Sequence, residues 1–210
     1  MDAHRAVRDV DRVMPASPYA RPGGSLLVMV GLPGTGKSLI VENLITLIPS
    51  VVISTDGVRR HMRRYPTYTA AEMMFVYEVC HRVIEQRLAR GQRVIFDGTN
   101  HVAARRQQLF DIAGKRQSPV AVCHVQAAEQ TIRERLVSRK GDGRRDGDLS
   151  DAGWPVYQWM VAAQEPIVHP HLILDTTTIP PETLARQLSE YWLAVEEQGV
   201  PGTIPYLEGG

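Results

Sequence analysis

Short runs of apolar residues alternate along the chain with longer segments in which apolar and polar residues are mixed. The runs are continuous rather than alternating, which is typical of strands buried on both faces of a parallel sheet. They lie at residues 26–30, 51–53, 93–96, 120–125 and 172–174. Between them, apolar residues recur at three- and four-residue spacing, which predicts helices. Strands that alternate with helices predict an α/β fold of three layers.

The clearest helical pattern begins after Thr69 and ends near Gly91. Thr69 and Glu72 have the spacing of a capping box, and glycine is common just past a helix end. Pro155 is tolerated only in a first helical turn, so we expect its helix to begin near Gly153. The other predicted helices cover residues 3–13, 37–48, 56–63, 102–115, 127–139, 153–163 and 181–197.

Composition indicates a globular protein with one domain. Of the 210 residues, 43% are hydrophobic and 22% are charged, as is usual for globular domains. The formal net charge of +1 argues against a strongly cationic nucleic-acid-binding protein. We interpret residues 1–22 as an N-terminal arm, residues 23–198 as the domain, and the Gly- and Pro-rich residues 199–210 as a C-terminal tail.

The sequence indicates neither a membrane span nor a secretory signal. The longest apolar run, residues 26–32, has about a third of the roughly 20 residues that a membrane helix needs. The N-terminus mixes both charges and lacks an apolar core. Cys80 and Cys123 lie far apart in apolar stretches, which is typical of free thiols in a reducing compartment. We therefore expect a cytoplasmic protein that makes no membrane contact.

The first predicted strand runs directly into a glycine-rich segment, GLPGTGKS, which we call the phosphate loop. Its residues 31–38 fit the pattern G-x-x-x-x-G-K-[ST]. Glycines let backbone N–H groups turn toward a phosphate, and the next helix points its positive end at the same place. Lys37 can reach the β- and γ-phosphates, and Ser38 can bind Mg²⁺. The predicted nucleotide-binding residues are Gly31, Gly34, Thr35, Gly36, Lys37 and Ser38.

The second predicted strand ends in STDGVR, residues 54–59. The carboxyl ends of parallel strands open into a ligand crevice, so Asp56 and Arg59, one helical turn apart, are expected to face it. A carboxylate there can accept a proton from an attacking hydroxyl, and an arginine can orient an anionic group. The alternative is that Asp56 caps the helix and Arg59 is solvated.

The third predicted strand ends in VIFDGTN, residues 94–100. Asp97 stands where an acidic residue of phosphate-loop proteins binds Mg²⁺, directly or through water. Thr99 and Asn100 are expected at the rim of the crevice, where they could contact an acceptor. The alternative is a simple turn after the strand.

A segment rich in arginine and glycine, about residues 133–150, follows the fourth predicted strand. Such a segment suits a lid that closes over a nucleotide, excludes water and neutralises charge on a transferred phosphoryl group. Arg135 and Arg139, one turn apart, are the first candidates for that role, although each could instead be a solvated charge. Thr176 and Thr177, just after the fifth strand, are candidates to border the nucleotide base.

Together these motifs resemble a group of P-loop kinases that includes polynucleotide 5′-kinases, adenylylsulfate kinases, zeta-toxin-like kinases and bacterial kinases of the AAA_33 type. The resemblance covers about residues 25–195, including residues 147–157 and the LILDTT ending at 172–177. It implies a parallel sheet in the order 2-3-1-4-5, ATP with Mg²⁺ as the donor, and a hydroxyl acceptor. It also implies that Asp56 is the general base and that Arg59 helps to seat the acceptor.

The motifs specify the acceptor less well than the donor. The DGTN segment is close to the D-x-T-N of polynucleotide kinases and favours a polynucleotide 5′-hydroxyl, whereas the nearly neutral charge leaves a small metabolite open. Residues 59–65 hold four arginines and a tyrosine, which could bind a nucleic-acid backbone or be a solvated helix end. The alternative function is a P-loop ATPase or nucleotide-switched binding protein that phosphorylates nothing. No obligate protein partner is indicated.

Two residue types are not interpreted as functional. His169 and His171 have a spacing that fits no common zinc site. The tryptophans fall on predicted helices and are interpreted as packing residues, namely Trp154, Trp159 and Trp192.

Overall fold

Five parallel strands form a single sheet in a computed structural model that describes residues 2–15, 17, 21–62, 67, 69–138 and 152–198. The strands are β1 (Ser25–Val30), β2 (Val51–Ser54), β3 (Arg93–Asp97), β4 (Val120–Gln126) and β5 (Leu172–Asp175). Their order is β2-β3-β1-β4-β5, and every neighbouring pair is parallel. The predicted sheet and strand order are therefore confirmed. The register sets Met29 of β1 beside Asp97 of β3, so the ends of these strands lie level with each other.

Helices connect the strands at close to their predicted positions. They are α1 (Ala3–Val13), α2 (Lys37–Leu47), α3 (Thr55–Met62), α4 (Ala70–Ala89), α5 (Ala103–Lys115), α6 (Glu129–Ser138), α7 (Trp154–Ala162) and α8 (Pro181–Gln198). Gly153 is the N-cap of α7 and Pro155 lies in its first turn, as the missing N–H of proline requires. Most other boundaries differ from the prediction by one or two residues, which is the usual uncertainty at helix ends.

Both faces of the sheet are buried, which explains why the strands are apolar throughout. Val28 packs with the side of the molecule that holds α1, α4 and α5, and Met29, its neighbour in β1, packs with α2 and α8 on the other side. Neither residue is exposed. A third, smaller cluster joins Leu32 of the phosphate loop to α6 and α7 through Ile132, Leu136 and Tyr157. Helices α6 and α7 are thus attached directly to the phosphate loop.

The N-terminal helix α1 is part of the main core. Val7 and Val10 are buried in the same cluster as α4, and α1 packs along that helix. Asp11 forms ion pairs of 2.6 Å with Arg87 and 2.9 Å with Arg90. The sequence predicted this helix but treated its segment as an arm, because nothing local shows where an amphipathic helix will pack.

The tryptophans and cysteines divide into buried and exposed positions. Trp192 is fully buried and its Nε1 donates a 2.7 Å hydrogen bond to Ser25 Oγ. Trp159 is 60% exposed, so its interpretation as a packing residue is wrong. Cys80 and Cys123 are both buried free thiols, as expected. Among the helices that the structure describes, none combines the length and the apolar character that a bilayer crossing demands.

Candidate active site

The phosphate loop is a turn that only glycine can form at two of its positions. Gly34 and Gly36 have φ angles of 84° and 89°, in the left-handed region that side chains disfavour. A Cβ on Gly34 would also lie 2.9 Å from Ile132 Cγ2. Gly36 is the N-cap of α2, so the free N–H groups of that helix begin inside the loop. This geometry suits an anion such as a nucleotide phosphate.

Side chains of the phosphate loop close it on itself. Lys37 Nζ donates to the Leu32 carbonyl oxygen over 3.0 Å, and Thr35 Oγ1 donates to the same oxygen over 2.9 Å. The half-buried Lys37 side chain therefore folds back across the loop. An ammonium held there adds positive charge to the convergent N–H groups, as a phosphate-binding site needs.

Ser38 and Asp97 meet at the edge of the phosphate loop. Ser38 Oγ donates to Asp97 Oδ2 over 2.9 Å. Burial raises the pKa of Asp97, while the Lys37 charge and the Ser38 hydrogen bond act against that rise. Hydroxyl and carboxylate oxygens are ligands that Mg²⁺ accepts, and Mg²⁺ takes its remaining ligands from phosphate and water. Within the described ranges no three His, Cys, Asp or Glu residues cluster for a metal.

Asp56 projects from the first turn of α3 without capping that helix. Ser54 Oγ is the cap, because it accepts from Gly57 N over 2.8 Å. The alternative that Asp56 serves only as a cap is therefore wrong. Asp56 Oδ1 instead accepts from Arg59 Nη1 over 2.5 Å. Burial raises the pKa of Asp56; the Arg59 and Lys37 charges lower it, and the Asp97 charge raises it further.

Arg59 is buried, so the alternative that it is a solvated charge is also wrong. Its exposure is 6%, and its Nε lies 3.2 Å from Glu72 Oε1. Two carboxylates, Asp56 and Glu72, thus hold one guanidinium at the crevice. The other members of the basic cluster at residues 63–65 lie outside the described residues.

Glu72 has a second role that sequence reasoning missed. Thr69 Oγ1 accepts from Glu72 N over 3.3 Å, so the N-cap half of the predicted capping box is present. The Glu72 carboxylate does not return to Thr69, since Oε2 accepts from Thr67 N over 2.8 Å while Oε1 faces Arg59. A glutamate at this position of a helix is usually read as a cap, and no local signal distinguishes an ion-pair partner.

The two rim candidates after β3 have different positions. Asn100 is fully buried, and its Nδ2 donates to the Met29 carbonyl oxygen over 2.7 Å, so its expected place at the rim is wrong. It has a φ of 46°, which is uncommon for a residue other than glycine, and it ties β1 to the turn after β3. Thr99 is half-buried, and its carbonyl oxygen accepts from Gly31 N over 3.0 Å. Thr99 thus joins the rim to the phosphate loop.

Arg135 reaches from α6 to the opposite side of the phosphate loop. Its Nη1 donates to the Gly34 carbonyl oxygen over 3.2 Å and to Thr176 Oγ1 over 2.8 Å. Beside these residues lies a pocket of about 170 Å³, lined by Gly36, Leu39, Arg135, Thr176, Thr177, Thr178, Ile179, Pro180 and Pro181. Arg139 and most of the predicted lid, residues 139–150, lie outside the described residues.

Tyr77 and Arg105 form a further element that sequence reasoning missed. The Arg105 guanidinium carbon lies 3.6 Å from the centre of the Tyr77 ring. Burial raises the pKa of Tyr77, while Arg105 and a hydrogen bond to the Thr99 side chain act against that rise. Tyr77 was recognised only as one apolar position of a helical stripe, and nothing in the sequence links Arg105 to it.

Comparison with known proteins identifies the family. A family model described as an AAA domain, AAA_33, matches residues 26–167. A Mycobacterium tuberculosis protein named "Uncharacterized protein Rv2004c" is 30% identical over 128 residues, which are 55% of this chain and 26% of that protein. The chain therefore matches only about a quarter of the length of this curated relative.

Crystal structures with the same fold include nucleotide-bound proteins. The Mycobacterium tuberculosis APS kinase CysC, in complex with AMPPNP and APS, superposes with a TM-score of 0.61 at 15% identity, covering 84% of this chain and 99% of the kinase. Chaetomium thermophilum Kti12, in complex with ADP-AlF3, gives 0.62 at 18% identity, covering 80% and 99%. These likenesses concern the fold alone. Because the family model spans the phosphate loop, Asp56 and Asp97, the chain belongs to the AAA_33 family of AAA domains and has the P-loop kinase fold.

Proposed function

We propose that the protein is an ATP-dependent kinase that transfers the γ-phosphate of ATP to a hydroxyl group of an acceptor. The observation that supports this best is the meeting of three strand ends. The phosphate loop follows β1, the Asp56–Arg59 pair follows β2, and Asp97 ends β3 beside Ser38. The pKa of Asp56 responds to both Asp97 and Lys37, so the proposed base lies in the same electrostatic environment as the phosphate site.

In this proposal ATP, the phosphate donor, binds to the phosphate loop and in the pocket beside it. The loop N–H groups and Lys37 bind the phosphates, and Thr176 and Thr177 border the base in the pocket next to Gly36. Ser38 and Asp97 would hold Mg²⁺, which would supply neutralisation of the charge on the phosphate oxygens. Arg135 donates to the Gly34 carbonyl oxygen and is proposed to act beside the bound nucleotide. Arg139 belongs to the same proposal as a lid arginine.

Asp56 is the proposed general base. Arg59 holds Oδ1, so Oδ2 is assigned to receive the proton of the acceptor hydroxyl as its oxygen forms a bond to the γ-phosphorus. The bond from that phosphorus to the bridging oxygen breaks, and ADP leaves. The raised pKa makes Asp56 a stronger base than an exposed aspartate. Arg59 and Thr99 contact the acceptor, whereas the buried Asn100 positions the rim.

The test is a transfer assay with γ-labelled ATP and Mg²⁺. One pool of acceptors holds 5′-hydroxyl oligonucleotides and the other holds small hydroxylated metabolites. We expect label in one pool, and a loss of about 10²–10⁴-fold in Asp56→Asn with ATP affinity little changed. Lys37→Ala should weaken both ATP binding and turnover. The matched control is Asp111→Asn on the exposed face of α5, which should behave as the wild type.

The assay also separates the alternative function. A P-loop ATPase or nucleotide-switched binding protein needs the phosphate loop, Ser38 and Asp97, but it has no use for a base that faces an acceptor. Label found only as free phosphate, at one rate with every pool and unchanged in Asp56→Asn, would contradict the kinase and favour that class.

A further inference from the structure

A half-buried arginine lies near the residues that are proposed to bind the acceptor, and among the described residues it has no carboxylate partner. Arg105, in the first turn of α5, stacks on Tyr77 with 3.6 Å between its guanidinium carbon and the ring centre. In the part of the chain that the structure describes, its guanidinium makes no hydrogen bond and no ion pair. Stacking on an aromatic ring holds a guanidinium in place but uses none of its N–H donors.

Neighbouring charges in this region are already matched. Arg59 is held by Asp56 and Glu72. Arg106, next to Arg105 in the chain, is buried and donates to the carbonyl oxygens of Asn100 and Pro166. Of these three arginines, Arg105 is therefore the one whose positive charge is available to a ligand.

Arg105 is also connected to the residues that would handle the acceptor. Burial raises the pKa of Tyr77, while the charges of Arg105 and Arg59 and the nearby Thr99 side chain lower it. The Thr99 carbonyl oxygen accepts from Gly31 N of the phosphate loop. His101 Nδ1 lies 3.2 Å from Thr99 Oγ1. Thr99 and Tyr77 therefore lie between the phosphate loop and Arg105.

We propose that Arg105 binds an anionic group of the acceptor, so that the substrate is a hydroxyl compound with a carboxylate or phosphate group rather than a neutral alcohol. The inference rests on the proposed kinase function and adds the substrate class to it. A guanidinium presents two parallel N–H groups to such an anion, and its stacking on Tyr77 limits the entropy lost on binding. The reacting hydroxyl lies at Asp56, and the anion is held at Arg105.

The experiment uses pairs of acceptors that differ in one anionic group. Gluconate is compared with glucose, and adenosine 3′-monophosphate with adenosine, so that a carboxylate metabolite and a nucleotide phosphate are distinguished. A 5′-hydroxyl oligonucleotide forms a third arm. Transfer from γ-labelled ATP gives kcat and KM, and calorimetry with ADP and Mg²⁺ present gives the affinity for each acceptor without turnover.

We expect the wild type to prefer the anionic member of at least one pair. Arg105→Gln should raise its KM by about 10–100-fold, with a smaller change in kcat and no change for the neutral member. Arg105→Lys should keep part of the preference, since it keeps the charge but not the paired donors. The control is Arg116→Gln at the other end of α5, where the arginine is exposed and paired with Glu85. Thermal melting confirms that each variant folds.

The outcomes separate this inference from the kinase proposal. Transfer to neutral acceptors alone, or a preference for anions that survives in Arg105→Gln, overturns the inference and leaves the kinase intact. Anion binding that is lost in Arg105→Gln without any transfer of label supports the anion site and overturns the kinase. Absence of any preference for an anionic member in the wild type, in transfer and in calorimetry, overturns the inference.

Discussion

The two halves of the candidate site are built in different ways. The proposed donor side comprises the phosphate loop together with Asp97, Arg135 and Thr176. The loop presents mainly backbone groups from one contiguous segment, and its carbonyl oxygens accept hydrogen bonds from the side chains of Thr35, Lys37, Arg135 and Thr176. The acceptor side, which comprises Asp56, Arg59, Glu72, Tyr77, Thr99 and Arg105, presents side chains from three helices and one strand end, held by ion pairs and stacking.

This difference has a functional consequence. Backbone N–H groups bind any phosphate, so the donor side recognises a feature that all nucleotides share. Side chains with fixed charge and direction discriminate between ligands, so we expect the proposed acceptor side to determine specificity. Variants on the donor side should therefore affect every acceptor equally, whereas variants on the acceptor side should change the choice of acceptor.

Among donor-side variants, the largest effect is expected for Asp97→Asn. If Asp97 binds Mg²⁺ as proposed, loss of its carboxylate should lower turnover by about 10²–10³-fold with every acceptor. The thermal stability of Asp97→Asn, in contrast, should be higher than that of the wild type. Burial raises the pKa of Asp97 above 3.8, so the stabilisation from this carboxyl is fully present below pH 3.8 and is lost as the pH rises through the raised value.

Above that raised value the folded wild type carries a half-buried, ionised carboxylate that destabilises the folded state. Asp97→Asn keeps an oxygen for the Ser38 hydroxyl, so its Tm in metal-free buffer should exceed that of the wild type. Differential scanning calorimetry with EDTA measures this. A lower Tm in the variant would show that the carboxylate stabilises the fold, contrary to its raised pKa.

Turnover should depend on pH through Asp56 on the acceptor side. Burial and the nearby Asp97 charge raise the pKa of Asp56, although Arg59 and Lys37 oppose them. The base works only when ionised, so kcat should fall about tenfold per pH unit below this raised pKa. The residual activity of Asp56→Asn should lack this dependence. If kcat still falls at low pH in Asp56→Asn, the group that titrates is Asp97 and not Asp56.

A smaller effect is expected for Glu72→Gln, which removes one of the two carboxylates that hold Arg59. Arg59 keeps Asp56, so we expect a loss of about 1–3 kcal/mol in the free energy of unfolding and about a tenfold rise in acceptor KM. The KM for ATP should not change. Urea unfolding and steady-state kinetics measure both. Glu78→Gln on the exposed face of α4 is the control, and an equal KM change there would contradict a specific role.

The smallest effect is expected for Arg135→Ala. The change removes donors to the Gly34 carbonyl oxygen and to Thr176, which support the phosphate loop from behind. The affinity for the nucleotide should fall by about three- to tenfold, and the fall should be the same whichever acceptor is present. Isothermal titration with ADP and Mg²⁺ measures it, with the exposed Arg186→Ala as control. If the loss of nucleotide affinity differed between acceptors, Arg135 would not belong to the donor side.

Local sequence was sufficient to predict the phosphate loop and the strands. Apolar runs buried on both faces predicted the strands, and the strand order followed from the family resemblance. The phosphate loop could be predicted because each of its requirements is local: glycine for positive φ, a helix start, and a lysine and a serine at fixed offsets.

Sequence predicted Asp56, Arg59 and Thr99, but only the tertiary structure decided the contacts of the other residues on the acceptor side. Glu72 belongs to a helix cap in the sequence, yet folding brings its carboxylate to Arg59, and Asn100 belongs to a polar turn, yet it is fully buried beneath the rim. Arg105 meets Tyr77 because α4 and α5 lie on the same face of the sheet. Contacts between residues distant in the chain leave no periodicity and no motif, because they depend on how the helices pack and not on the spacing of neighbours.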